Sequence, residues 1–297
     1  IYLKFFSYFM NNFLSGLYVV STPIGNLEDI TLRALNVLKN SDKILCEDTR
    51  RSIKLLNHYN ISKQLVSNHK FNEKKTASKI VENIKSGQVV SMISDAGTPT
   101  ISDPGLVLIK ECIKNKVKIF PIPGVSATAT AMSVSGFKDQ YIFYGFLPKK
   151  QTAIEKELKK LKEYKFNLVF FIPAIKINFY IKLFKKYLHE REFFIGREMT
   201  KIHETFYRHD LDKFSGFKEN LKGELTVVIS GKSENYENKK VINTKQLNNE
   251  IKQYLKKYSV KDVVNLISQT NNLSKKKIYD ICLKLKKTWK IFFLFYF

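Results

Sequence analysis

The chain has 297 residues and carries 51 Lys and Arg against 27 Asp and Glu, a formal net charge of +24 with a pI near 9.7. That length exceeds what one compact core organises, so two folding units with an appendage are expected, and the charge points to an anionic partner because clustered cations release counterions from a polyanion. Three widely spaced cysteines, Cys46, Cys112 and Cys282, and five scattered histidines argue against a disulfide framework and a metal site, and fit a reducing cytoplasm.

The charge has a second reading. Only six of the 51 basic residues are Arg, and the accompanying Lys, Asn, Ile and Phe bias is that of an AT-rich coding sequence. Residues 1–15 are set apart as an N-terminal extension. The stretch IYLKFFSYFMNNFL within them is apolar, but Lys4, Asn11 and Asn12 interrupt it and it is too short for a membrane span, and Met10 is an alternative start.

From Leu17 onward strands and helices alternate. LYVVS reads as a strand, DITLRALNVLKN as a helix capped by Asp29 or Thr31, KILCE as a strand and DTRRSIKLLNHY as a helix. LVSNH, a helix over about 74–85, VVSMIS, a helix near 105–115, VKIFPIP and a helix from Ser126 come next. Such alternation predicts an α/β unit over 16–144, its parallel strands covered on both faces. After a link containing Gly145 and Pro148, a second α/β unit is expected over 145–232, with a lysine-rich helix over 152–164, the strand NLVFFIP, a helix near 176–188, and the strands EFFIGREM and GELTVVIS. KSENYENKK reads as a polar linker, and 243–290 as a tail of two or three short helices. The terminal WKIFFLFYF is too short for a membrane anchor.

Three turn-rich loops fall at the carboxyl ends of predicted parallel strands, where open sheets bind ligands: STPIGN, SDAGTPTISDPG and PIPGVSATA. Gly25, Gly97 and Gly124 allow backbone conformations closed to other residues and close approach of a ligand. Neither GxxxxGK[ST] nor GxGxxG is present, which argues against a nucleoside triphosphatase or dinucleotide oxidoreductase. The small, mildly apolar PGVSATATAM suits an adenosine-bearing ligand without phosphates. Asp95 suits a ribose hydroxyl or an ammonium group, since a carboxylate near a loop is stabilised by such donors. In the second half of the loop, Asp103, Pro104 and Gly105 are read as the start and cap of the next helix, away from the ligand.

STPIGNLEDIT, CEDTRRS, SDAGTPTISDPG, PIPGVSA, YGFLP, REMTKIHE and KGELTVVI occur in this order. The set resembles the tetrapyrrole-methylase superfamily, and within it the branch that 2′-O-methylates a cytidine of 16S rRNA in the small ribosomal subunit. The resemblance runs from about Leu17 to Gly231, with a weaker echo in the tail. It implies two α/β domains with S-adenosylmethionine in the cleft between them, a homodimer, and no membrane association. It also implies that Pro23, Ile24 and Gly25 line one wall, that Asp95, Ala96, Gly97 and Thr98 form the floor, and that Ser126 and Ala127 approach the cofactor.

A sugar hydroxyl is a poor acid, so methylating it calls for a base or a nearby cation. Glu47 or Asp48 is expected to assist proton removal, with Arg50 and Lys201 gripping RNA phosphate; the same charges also suit a structural salt-bridge network. The lysine-rich helix over 152–165 and Lys182–Lys186 offer an RNA-facing surface or simply a solvated face. Where relatives of this type carry Glu and Arg after the middle strand of the second domain, this chain has VFFIPAIKINFY, leaving Lys176 or Lys182 to supply a cation. The alternatives are a tetrapyrrole or diphthine-type methyltransferase and a non-catalytic RNA-binding assembly factor. The basic balance and helical tail count against the first, and the FFIPAIKI segment is the mark of the second.

Overall fold

The structure, a computed structural model, describes residues 13–69, 72–232, 244–271 and 275–294. Most of the expected N-terminal extension, the polar linker after Lys232 and the last three residues lie outside the described residues.

β1 (Gly16–Val20), β2 (Lys43–Cys46), β3 (Gln64–Ser67), β4 (Val89–Ile93) and β5 (Ile119–Ile122) form an all-parallel sheet in the order β3-β2-β4-β1-β5. Alternation along β1 sends Tyr18 and Val20 to one face and Leu17 and Val19 to the other, so each strand feeds two cores. The first core takes Ala34, Val37 and Leu38 from α1 (Leu32–Lys39) and Leu56 from α2 (Thr49–His58). The second takes Ala77, Ile80, Val81 and Ile84 from α3 (Glu73–Lys85) and Leu108 and Cys112 from α4 (Leu106–Lys114). Burial of each large aliphatic side chain contributes about 1.5–3 kcal/mol. Of the two expected caps for α1, Thr31 serves, its hydroxyl accepting from the Ala34 N–H at 3.0 Å.

The second sheet is mixed: β6 (Tyr141–Phe146), β7 (Asn167–Pro173), β8 (Glu192–Arg197), β9 (Thr205–Asp210) and β10 (Glu224–Ile229) lie in the order β6-β7-β10-β8-β9. Only β6 and β7 pair in parallel. α6 (Gln151–Leu161) and α7 (Ile177–Tyr187) cover one face, burying Ile154, Leu158, Ile181 and Phe184 against Phe170, Phe193 and Val227.

Two expectations change here. The boundary at Gly145 falls inside β6, because the glycine marks a register shift between Phe143 and Gly145 and not a link between units. β9 is an addition to the expected strands, since its residues alternate half-buried and exposed at the sheet edge and lack an apolar run.

α5 (Ala127–Ser135) comes after the last parallel strand but packs on the mixed sheet, where Ala131 joins Val169, Phe194, Met199 and Val228 in a common core. Its small side chains let the two sheets approach, and the described residues up to Gly231 form one compact unit. Arg191, almost fully buried, closes that unit by donating to the carbonyls of Lys162 and Tyr164 (both 2.9 Å) and Ser230 (3.2 Å), while the Gly231 N–H donates to Asn167 Oδ1 at 2.8 Å. Burial draws the guanidinium down to about 10, leaving it charged at neutral pH.

The tail is a second unit of three helices, α8 (Thr244–Leu255), α9 (Val260–Asn271) and α10 (Lys275–Leu294). Leu247, Ile251, Val263, Ile267, Ile278 and Cys282 make its own small core.

Candidate active-site cleft

All five parallel strands end at one edge, and the segments after β1, β2, β4 and β5 line a cleft of about 390 Å³ whose opposite wall belongs to the mixed sheet. Hydroxyl groups tie the three turn-rich loops together. Ser21 Oγ pairs with Thr98 Oγ1 at 2.9 Å, Thr98 Oγ1 donates to the Val125 carbonyl at 3.2 Å, and Thr22 Oγ1 donates to the Ser94 carbonyl at 3.1 Å. Thr22 and Gly97 exchange backbone hydrogen bonds at 2.9 and 3.0 Å. Gly97 holds φ +81°, a left-handed conformation that costs a residue with a Cβ about 1–2 kcal/mol, and lines the floor with its backbone.

Of the residues expected at the site, Ile24, Glu47, Asp95, Ala96, Gly97, Thr98, Ser126 and Ala127 line the cleft. Pro23, Gly25, Asp48, Arg50 and Lys201 are not among its lining. Pro23, within the first loop, is buried. A Cβ on Gly25 would stand 2.5 Å from both Thr200 Oγ1 and Lys201 Cγ, so this glycine permits contact between the loops of the two sheets. The contact is sealed by the Asn26 N–H donating to Thr200 Oγ1 at 3.0 Å.

Asp48 is the N-cap of α2, accepting from the Arg50 N–H at 2.9 Å and pairing with the Arg50 guanidinium at 2.8 Å. Those hydrogen bonds hold its carboxyl down to about 2, which makes it a weak base. Arg50 itself points to solvent. Lys201 sits between Glu198 Oε1 at 3.0 Å and Glu224 Oε2 at 2.8 Å; burial lowers its pKa, but those hydrogen bonds outweigh it and the net shift is upward. Lys176 is exposed, and Lys182 lines a separate small pocket with Lys185 and Gly216.

The cleft also holds residues that sequence reasoning missed. Arg51, and not its neighbour Arg50, turns inward and reaches Asp95 Oδ2 at 3.4 Å. Asp103, expected to cap α4, lines the cleft. The cap is Glu73, whose Oε1 accepts from the N–H groups of Gly105 (2.9 Å) and Val107 (2.7 Å). The mixed sheet adds Phe146, Phe171, Pro173, Leu225 and Thr226, which read in sequence as ordinary strand residues.

Glu47, Asp95, Asp103 and Glu224 face a single guanidinium, Arg51, among the described residues lining the cleft. That balance favours a cationic ligand. Burial and the nearby Asp95 push the Glu47 carboxyl up, while Arg51 and His69 pull it back. Asp103 is pushed up to about 6 by burial and by the charges of Glu47 and Asp95. Thr100 and Ser102, at φ 71° and 73°, hold the segment before Asp103 in backbone conformations that persist only where the surroundings impose them.

The family model for tetrapyrrole (corrin/porphyrin) methylases matches residues 16–215, a span that holds the parallel-sheet wall of this cleft and, of the mixed-sheet wall, the residues from β6 and β7. The chain belongs to this family. Within it, the chain is similar to the ribosomal RNA small subunit methyltransferase I of Rickettsia prowazekii, at 42% identity over 92% of this chain and 98% of that one. It is also similar to the protein of the same description from Thermotoga maritima, at 44% identity over 74% of this chain and all of that one. A solved structure, the uroporphyrin-III C-methyltransferase of Thermus thermophilus complexed with S-adenyl homocysteine, shares the fold with a TM-score of 0.51 and 14% identity, over 72% of this chain and 97% of that one. Among the described residues, no helix is long and apolar enough to cross a membrane.

Proposed function

We propose that this protein transfers a methyl group from S-adenosylmethionine to the 2′-hydroxyl of a cytidine in 16S rRNA of the small ribosomal subunit, acting as a homodimer in the cytoplasm. The observation that carries this reading is the 42% identity, over nearly the whole chain, to a relative described as a ribosomal RNA small subunit methyltransferase. The cleft supports it through its chemistry. S-adenosylmethionine, when bound, supplies a methyl group on a positively charged sulfonium. Small side chains at Ala96 and Ala127 with the Gly97 backbone suit the adenosine, Ser126 and Thr98 offer hydroxyls, and the surplus of carboxylates suits the sulfonium and ammonium charges.

The roles of the chain's own residues derive from where they stand. Ile24, Ala96, Gly97, Thr98, Ser126 and Ala127 hold the cofactor, and Asp95, fixed by Arg51 and by the Asp48 N–H at 3.2 Å, accepts hydrogen bonds from it. Phe146, Phe171 and Pro173 present an apolar wall to the bound cofactor. Catalysis is mainly positioning, with proton removal from the sugar hydroxyl as the chemical assistance.

The test is to map 2′-O-methylation of 16S rRNA from cells with and without this gene, and then to incubate the purified protein with unmodified small subunits and labelled S-adenosylmethionine. One cytidine losing its methyl group in the deletion strain and regaining it in vitro is the expected result. An unchanged modification map in the deletion strain overturns the reading.

A further inference from the structure

We propose that Asp103 is the group that takes the proton from the ribose 2′-hydroxyl, a residue distinct from the Glu47 and Asp48 pair to which the sequence pattern points. The inference rests on the methyltransferase reading above and identifies the base within it.

Four carboxylates line the cleft, and three of them have attractive partners. Asp95 accepts from the Asp48 N–H and faces the Arg51 guanidinium at 3.4 Å. Glu224 is paired with Lys201 at 2.8 Å. Glu47 feels the opposing charges of Arg51 and His69. Asp103 is half-buried, and among the described residues it has neither a hydrogen-bond donor nor a cation; the charged groups that act on it are Glu47, from the end of β2, and Asp95, from the end of β4, both negative. Arg51 and Glu224 complete the charged lining.

A half-buried carboxylate without a donor is unfavourable to stability. It is held there by its surroundings. Ser102 packs on the bulge of β6, where a Cβ on Gly145 would stand 2.9 Å from Ser102 Oγ, and Glu73 fixes the loop from the other side through the Gly105 N–H. The lone pairs of Asp103 therefore remain available to a hydroxyl brought by the substrate. In the step, the hydroxyl proton passes to an Asp103 carboxylate oxygen, the freed electron pair on the ribose oxygen forms the new O–CH3 bond, and the pair of the old S–CH3 bond leaves with sulfur. The proton then passes from Asp103 to solvent once the product has left.

The test uses the full chain and Asp103→Asn, which keeps shape and removes the base. Single-turnover methylation of small subunits should fall at least a hundredfold, with cofactor affinity by calorimetry within about threefold of wild type. The wild-type rate should rise with pH up to about 6 and then level, and the variant should lose that dependence. A second readout does not involve turnover. An isolated carboxylate with a raised pKa lowers stability as pH rises from about 4 to 6, so Asp103→Asn should melt higher than wild type at pH 7 and lose that advantage toward pH 4. A variant that methylates within threefold of wild type, one that loses cofactor binding, or one that melts lower at pH 7 overturns the assignment. Wild-type protein that leaves rRNA unmethylated overturns the functional reading itself, a result distinguishable because it does not depend on the variant.

Discussion

The parallel and the mixed sheet reach the same cleft by different routes. In the parallel sheet every strand points its carboxyl end to one edge, and the segments after β1, β2, β4 and β5 line the cleft there, bringing glycine backbone, hydroxyls and most of the charge. In the mixed sheet neighbouring strands run in opposite senses, except β6 and β7. The end of β7 and the start of β10 lie side by side at the cleft and contribute mainly side-chain bulk, Phe171 and Pro173 beside Leu225 and Thr226. The parallel edge is thus built to hold a ligand by its polar outline, and the mixed edge to cover it.

The sharpest way to break this division is Gly97→Val, which places a branched side chain at φ +81° on the cleft floor. Affinity for S-adenosylmethionine should fall about a hundredfold by calorimetry, combining about 1–2 kcal/mol of backbone strain with lost space. Phe171→Ala, on the opposite wall, should weaken the cofactor less than tenfold, as expected from about 1 kcal/mol for one aromatic contact. Equal losses from the two variants would erase the distinction.

Gly25→Val probes the joint between the loops, since its Cβ would stand 2.5 Å from Thr200 Oγ1 and Lys201 Cγ. The expected destabilisation is about 1–3 kcal/mol in a denaturant titration. Lys201→Met leaves Glu198 and Glu224 facing one another, and because the site is partly exposed about 1 kcal/mol is expected. The raised lysine pKa means this contribution is present below the ordinary lysine pKa and is lost as pH rises through the folded value, so wild type and variant should converge in strongly alkaline buffer. The smallest effect belongs to Arg50→Ala, with kcat/KM for subunits within about twofold, because its guanidinium stands in solvent on Asp48 and does not line the cleft, and such exposed pairs contribute little. A tenfold loss would return Arg50 to a phosphate-gripping role.

The same asymmetry decides what was legible in the sequence. The parallel half announces its loops, because the turns after β1, β4 and β5 require Gly and Pro, and those residues are scarce elsewhere in this chain. The mixed half gives no such signal: Phe171 and Thr226 sit in apolar runs whose alternate residues enter the core, and only pairing of distant strands sets which side faces the cleft. Arg50 and Arg51 differ by one step of helical rotation, too fine for a reading by composition. Asp103 followed by Pro and Gly looks like a helix start, and only the fold reveals that Glu73, far upstream at the start of α3, already fills that role.

Arg191 and its three carbonyl partners gather the chain just where it leaves the catalytic body, beside Ser230 and Gly231. This makes the edge a finished seam: the last strand of the body is tied off by the body's own groups, Arg191 and Asn167, before the chain runs on.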